Sequence, residues 1–167
     1  MLGLIDGAAD YGHLGAMGAA RTVKHVFLNV TADNLETRQT IHEAVNSIMA
    51  QALDASFPRR ARRAYEIVRQ SRGFGTGIST RLLALARPDI LVVVNGESVG
   101  GLAELSGIAP SRLKKPAGYE GLIEWTMGRP WWRAQAPDTQ PDRELWLYRA
   151  ALIDAFVYGG NHFRKHS

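Results

Sequence analysis

The sequence has no cysteine in its 167 residues, which excludes disulfides, cysteine-bound metals and a thiol nucleophile. It also lacks a long hydrophobic run, because its longest candidate, Ile90–Val94, falls far short of the roughly 18 residues that a membrane span needs. The first residues show no basic stretch followed by an apolar one, which is the profile of a signal peptide. These absences predict a cytoplasmic protein that does not bind membranes.

The composition is that of a folded protein. The chain is 46% hydrophobic and 22% charged, which is average for a globular domain and unlike a disordered chain. Its length suits one compact domain or two small lobes. We expect a partly irregular, glycine-rich N-terminal lobe over residues 1–55 and a helical domain over residues 56–167, with a single domain over residues 1–167 as the alternative.

The net charge of +4 is unevenly distributed along the chain. Residues 1–55 carry three Lys or Arg against six acids, residues 56–115 carry eleven against four, and residues 116–167 carry six of each. The basic excess therefore lies in the central segment, which also holds the most distinctive motif. Basic residues clustered beside glycines favour a phosphate-bearing partner over a merely solvated basic surface.

Hydrophobic spacing predicts a mainly α-helical protein with little or no strand. Prolines, glycines and capping residues set the expected helix boundaries. Residues 89–95 form a β-branched run, and residues 131–141 are predicted to be a proline-punctuated loop. Helices are predicted over residues 34–53, 59–71, 76–86, 97–105, 119–127 and 142–158.

A glycine-rich hairpin, Gly73-Phe-Gly75-Thr-Gly77, separates two of these predicted helices. Amides at such a turn and at the following helix N-terminus attract phosphate. A dinucleotide fingerprint is excluded, because a basic helix precedes the glycines where a strand is needed and Ile78 replaces the third glycine. A P-loop is excluded because the stretch has no lysine. The remaining arrangement, a helix, a tight hairpin and a second helix, binds the DNA backbone without reading its sequence.

The segment from Gly73 to Leu85 resembles the helix-hairpin-helix of the DNA glycosylase superfamily, which includes endonuclease III, the adenine-mismatch glycosylase and 8-oxoguanine glycosylase. The resemblance covers residues 57–107 and implies a glycosylase-like helical bundle that acts in DNA repair. It also implies that the family's catalytic aspartate falls at Asn95 and the lysine of its bifunctional members at Gly77. Asparagine is neutral and glycine has no side chain, so we expect a scaffold without standard glycosylase chemistry.

The predicted function is duplex DNA binding through the hairpin, with no cofactor and no metal. Residues 102–115 resemble a second, weaker hairpin in which a basic turn follows Gly107, and a glycine-capped helix end is the alternative. The size of the chain suggests a subunit of a larger DNA-processing or defence assembly. The residues expected to contact DNA are Gly73, Phe74, Gly75, Thr76, Gly77, Arg59, Arg60, Arg62, Arg63, Arg69, Arg72, Arg81, Arg112, Lys114 and Lys115.

Two other functions stay open. The chain is an active base-excision glycosylase if Asp89 or Glu97 supplies the carboxylate that Asn95 lacks. It is a protein-interaction module if the adjacent Trp131 and Trp132, in the proline-bounded loop, anchor a protein partner.

Overall fold

The computed structural model describes residues 32–157, and every regular element in this range is a helix. The prediction of a mainly α-helical chain is therefore confirmed for these residues. The predictions for the glycine-rich beginning and the basic tail lie outside them. In chain order the helices are α1 (Ala32–Met49), α2 (Phe57–Gln70), α3 (Thr76–Ala86), α4 (Val99–Ser106), α5 (Pro110–Leu113), α6 (Pro116–Met127), α7 (Pro130–Arg133), α8 (Gln140–Leu147) and α9, residues 151–157.

Helix α2 is the centre of the packing and lies against α1, α3 and α6. It begins directly after Ser56, with Pro58 in its first turn, where the missing amide hydrogen costs nothing. One stripe of α2 is buried, and arginines occupy the other side. Its buried residues are Phe57, Pro58, Ala61, Ala64, Tyr65 and Val68.

The middle of the β-branched run, Ile90 to Val94, is buried, yet it pairs with no strand in the described range. Side chains from the helices satisfy its backbone instead. The Thr80 hydroxyl accepts a hydrogen bond from the Val94 amide at 2.9 Å, and the Tyr119 hydroxyl donates to the Val92 oxygen at 3.2 Å. Burial raises the pKa of Tyr119, which keeps that donor protonated. The segment therefore runs through the core and fixes Asn95 at its end.

Helix α1 was predicted to reach about residue 53, but it ends at Met49. The Arg87 guanidinium donates to the backbone oxygens of Ile48 at 3.1 Å and Gln51 at 3.0 Å. These carbonyls lie at the end of the helix, where intrahelical donors run out. Arg87 therefore satisfies the end of α1 and joins it to the end of α3.

The predicted helix over residues 142–158 is wrong in one respect, because residues 148–150 interrupt it. The amides of Ala150 and Ala151 donate to the Pro88 oxygen at 3.2 and 3.1 Å. Those amides are thus lost to the regular i→i−4 pattern, and the chain turns before it continues as α9. The predicted loop over residues 131–141 was also incomplete, since α7 and the start of α8 fall within it.

None of the helices in the described range is long and apolar enough to cross a membrane.

Candidate nucleic-acid interface

The hairpin between α2 and α3 has the geometry that its glycines predict. Gly73 has a φ of 87°, in the left-handed region that side chains with a Cβ atom disfavour. The Phe74 amide donates to the Ser71 oxygen at 3.0 Å, which closes the turn. The Phe74 side chain is buried in the core. Phe74 therefore anchors the hairpin, and the glycines on either side of it form its outer surface.

Gly75 stands immediately before α3 and is exposed. The first intrahelical hydrogen bond runs from the Ser79 amide to the Gly75 oxygen, at 3.0 Å. No side chain caps this end of α3, so the amides of Thr76, Gly77 and Ile78 precede the first helical bond. A Cβ atom at Gly75 would meet no other atom within 4 Å. The turn therefore presents bare backbone to the outside.

The second basic turn lies beside the first hairpin. The Tyr65 hydroxyl is 3.2 Å from Thr76 Oγ1 and 3.0 Å from the Lys114 backbone oxygen. Burial raises the pKa of Tyr65, so its hydroxyl stays protonated and able to donate. Gly107 ends α4 with a φ of 72°, as a glycine cap does. The structure thus places Lys114 next to the start of α3, although 38 residues of sequence separate Lys114 from Thr76.

The cationic residues expected to contact DNA divide into two groups. Three of them are held by acidic partners within the protein: Arg60 by Asp54, Arg62 by Glu66 and Glu120, and Arg81 by Asp154. Arg87, which was not expected to contact DNA, is held in the same way by Asp89. The others are exposed and form no ion pair within residues 32–157. The exposed members are Arg59, Arg63, Arg69, Arg72, Arg112, Lys114 and Lys115.

Asn95 caps the turn that leads into α4. Its Oδ1 accepts hydrogen bonds from the amides of Glu97 at 2.8 Å and Ser98 at 2.9 Å. Its Nδ2 donates to Asp154 Oδ1 at 3.0 Å. An aspartate at position 95 would keep the first two bonds and place a second carboxylate against Asp154. Asparagine at position 95 therefore donates a hydrogen bond to Asp154 and avoids the repulsion between two carboxylates.

Asp154 was not among the predicted site residues. It reaches the cluster from α9, and its side chain is only 16% exposed. Burial raises the pKa of this carboxyl, while hydrogen bonds from Ser98 and Asn95 and the charge of Arg81 oppose that rise. The Arg81 guanidinium lies 3.9 Å from Asp154 Oδ2. No local sequence signal could have found Asp154, because it lies 59 residues from Asn95.

The sequence offered Asp89 and Glu97 as substitutes for the missing carboxylate. Asp89 forms a two-point ion pair with Arg87, with both distances at 2.9 Å. Glu97 is exposed at the first turn before α4. The carboxylate that accepts a hydrogen bond from the Asn95 side chain is therefore that of Asp154.

The two adjacent tryptophans differ in exposure, since Trp131 is exposed and Trp132 is partly buried. Trp131 is 39% exposed. Trp132 donates from Nε1 to the Asp89 oxygen at 2.8 Å. The Arg149 guanidinium stacks on Trp132 at 5.4 Å and on Trp146 at 3.8 Å from the ring centroids. Trp132 thus contributes to the attachment of the C-terminal helices.

Within residues 32–157, no three His, Asp or Glu side chains are grouped so as to hold a metal ion. Comparison of the chain with protein-family models, with curated proteins and with solved structures finds no match. The resemblance to the glycosylase superfamily therefore rests on the helix-hairpin-helix motif and its spacing alone.

Proposed function

We propose that this protein binds duplex DNA through the sugar-phosphate backbone, with the hairpin between α2 and α3 as the primary contact. The observation that carries the proposal is the bare backbone at Gly75 and the start of α3, beside the second basic turn. Phosphate oxygens accept hydrogen bonds from such amides, and the positive end of the helix dipole favours their charge.

The unpaired cations support the same function. Arg69 and Arg72 come just before the first hairpin. Lys114 and Lys115 follow α5 in the second basic turn. None of the four forms an ion pair within residues 32–157. A phosphate at the start of α3 would therefore meet cations from both sides. Contacts of this kind are independent of base sequence, because the phosphates of all base pairs are alike.

Salt-titrated binding to a duplex of random sequence tests this function. Each phosphate contact contributes about −0.9 to the slope of log affinity against log salt concentration. Replacing Lys114 and Lys115 by Gln should reduce the magnitude of that slope by about 2. Replacing Arg133 and Arg143 by Gln removes the same charge away from both hairpins and should leave the slope nearly unchanged. A native chain that shows no salt-dependent binding would contradict the proposal.

A second function, release of a base from DNA, is favoured by the pairing of Asn95 with Asp154. A carboxylate at this end of the buried segment is what the family resemblance implies, and Asp154 supplies one from another helix. Its partly buried position and raised pKa suit it to proton transfer. The hydrolysis would use water, which adds to the sugar C1′ as the C1′–N bond breaks. The bonding pair leaves with the base, and the proton that water loses ends on the base nitrogen.

The test is release of free base from duplexes that carry modified bases. Release by the native chain, lost on Asp154→Asn with DNA binding unchanged, would establish this function. Asp89→Asn serves as the matched carboxylate control and should retain activity. No release from any duplex at native DNA-binding concentrations would leave the protein as a DNA-binding scaffold.

A further inference from the structure

The outer face of α2 carries a groove far from the hairpin. It lies over the first turns of the helix and has a volume of about 480 Å³. Every residue that lines it is charged or a serine. The lining residues are Ser56, Arg59, Arg60, Arg62, Arg63 and Glu66.

Two of these arginines are committed to partners in the protein. Arg60 donates to the Ala52 oxygen at 2.9 Å and to Asp54 at 3.3 Å, and it also contacts the Ser56 hydroxyl. Arg62 lies between two carboxylates, Glu66 at 3.2 Å and Glu120 at 2.9 Å. Their positions are therefore fixed, and Arg62 shares its single positive charge between Glu66 and Glu120.

The other two arginines have no such partner. Arg59 and Arg63 are exposed, and their side chains form no hydrogen bond or ion pair within residues 32–157. They are four residues apart on one helix, so their side chains are neighbours on the same face. Like charges at this spacing repel each other, and an anion between them removes the repulsion. The groove thus holds two guanidinium groups that have no ion-pair partner in the described range.

A planar guanidinium group can donate two parallel hydrogen bonds to the oxygens of one phosphate, whereas a lysine ammonium group acts only as a point charge. We infer that this groove is a second phosphate site, which takes a backbone phosphate of the duplex held by the hairpin. The inference rests on the proposed function. Arg59 and Gly73 are 14 residues apart, which corresponds to about 20 Å along a helix. That distance is about six base pairs along the duplex axis.

Two duplexes of different length test the second site. Binding of an 18-base-pair and a 5-base-pair duplex is measured for the native chain and for the double variant Arg59→Gln, Arg63→Gln. The variant should bind the long duplex about tenfold more weakly at low salt, with a salt slope smaller by about 2. It should bind the short duplex, which cannot reach both sites, as the native chain does. Equal losses on both duplexes, or no loss on the long one, would overturn the inference.

The charge-matched control is the variant Arg133→Gln, Arg143→Gln, whose residues lie outside the groove. It should lose little affinity for either duplex. If it loses as much as the groove variant, net charge and not a site explains the effect, and the inference fails.

A second readout does not depend on DNA. Inorganic phosphate and a nucleoside monophosphate are titrated while the arginine Nε–H signals are followed by NMR. Saturable shifts are expected for Arg59 and Arg63, but not for Arg60 or Arg62. If the native chain fails to bind DNA and these shifts persist, the proposed function is wrong and the groove binds free phosphate compounds. If the shifts are no larger than that of Arg133, the groove is not a phosphate site.

Discussion

The hydroxyl of Tyr65, in the middle of α2, lies 3.0 Å from the backbone oxygen of Lys114 at the end of α5. The same hydroxyl contacts Thr76 at the start of α3. One buried phenol thus sets the distance between the two turns that we propose to hold DNA.

Tyr65→Phe should therefore separate stability from binding geometry. The variant keeps the ring in the core but leaves the Lys114 oxygen without this donor, which should cost about 1–2 kcal/mol of unfolding free energy. Because the second turn would no longer be fixed to the first, DNA affinity should also fall severalfold. Chemical denaturation and anisotropy measure the two effects. Unchanged affinity with the expected loss of stability would show that the two turns act independently.

Arg87 should be the arginine whose removal destabilises the fold most. Its side chain is 12% exposed, pairs with Asp89 and satisfies two carbonyls at the end of α1. It also stacks over Phe57 at 5.1 Å. Arg87→Ala should lower the unfolding free energy by about 2–4 kcal/mol. Arg63→Ala, which removes an exposed arginine, should change it by less than about 0.5 kcal/mol.

Two glycines of α6 form a matched pair. A Cβ atom at Gly118 would lie 1.9 Å from the Arg112 backbone oxygen, whereas one at Gly121 would meet only Ile108 Cδ1 at 3.5 Å. Gly118→Ala should therefore push α5 from α6 and cost about 2 kcal/mol or more. Gly121→Ala should be neutral or stabilise the helix by up to about 1 kcal/mol. Thermal unfolding of both variants checks the contrast, and a harmless Gly118→Ala would contradict this packing.

The pairing of Asn95 with Asp154 predicts a pH dependence. Since burial raises the pKa of Asp154, the folded state holds this proton more tightly than the unfolded state. The group's contribution to stability should therefore fall as the pH rises from the unfolded pKa, about 3.9, through the raised folded value, and stay level above it.

Unfolding free energies of the native chain and Asp154→Asn, measured across this pH range, isolate that contribution as their difference. The variant should lack this part of the slope. Asn95→Asp should be destabilised near neutral pH because it places two carboxylates together, and the exchanged pair Asn95→Asp, Asp154→Asn should recover. Parallel pH profiles for the native chain and Asp154→Asn would contradict the assignment.

Local signals in the sequence predicted the helices on both sides of the hairpin well. Pro58 restricts its own φ, and Gly73 adopts a positive φ that residues with a Cβ atom disfavour, so the effect of both is visible without the rest of the chain. Long-range contacts could not be predicted in this way. The break at residues 148–150 depends on hydrogen bonds to Pro88, and the Asp154 carboxylate reaches Asn95 only after the chain has folded.

The sequence also could not predict which arginines pair within the protein and which stay unpaired. The sequence places Arg59, Arg60, Arg62 and Arg63 in one run, and charge alone cannot tell them apart. The structure distinguishes them because Asp54 pairs with Arg60, and Glu66 and Glu120 pair with Arg62. Which cations remain for a phosphate thus depends on the residues that the fold places around α2.

The most direct test of the central claim is binding of duplex DNA by Gly75→Leu. A Cβ atom at this position meets nothing within 4 Å, so the substitution should change the unfolding free energy by no more than about 1 kcal/mol, while the leucine side chain should cover the amides at the start of α3. Gly100→Leu, also in open space but on α4, is the control. We predict that Gly75→Leu binds at least about tenfold more weakly with a reduced salt slope, while Gly100→Leu binds as the native chain does. Native affinity and slope in a folded Gly75→Leu would contradict the hairpin as the DNA contact.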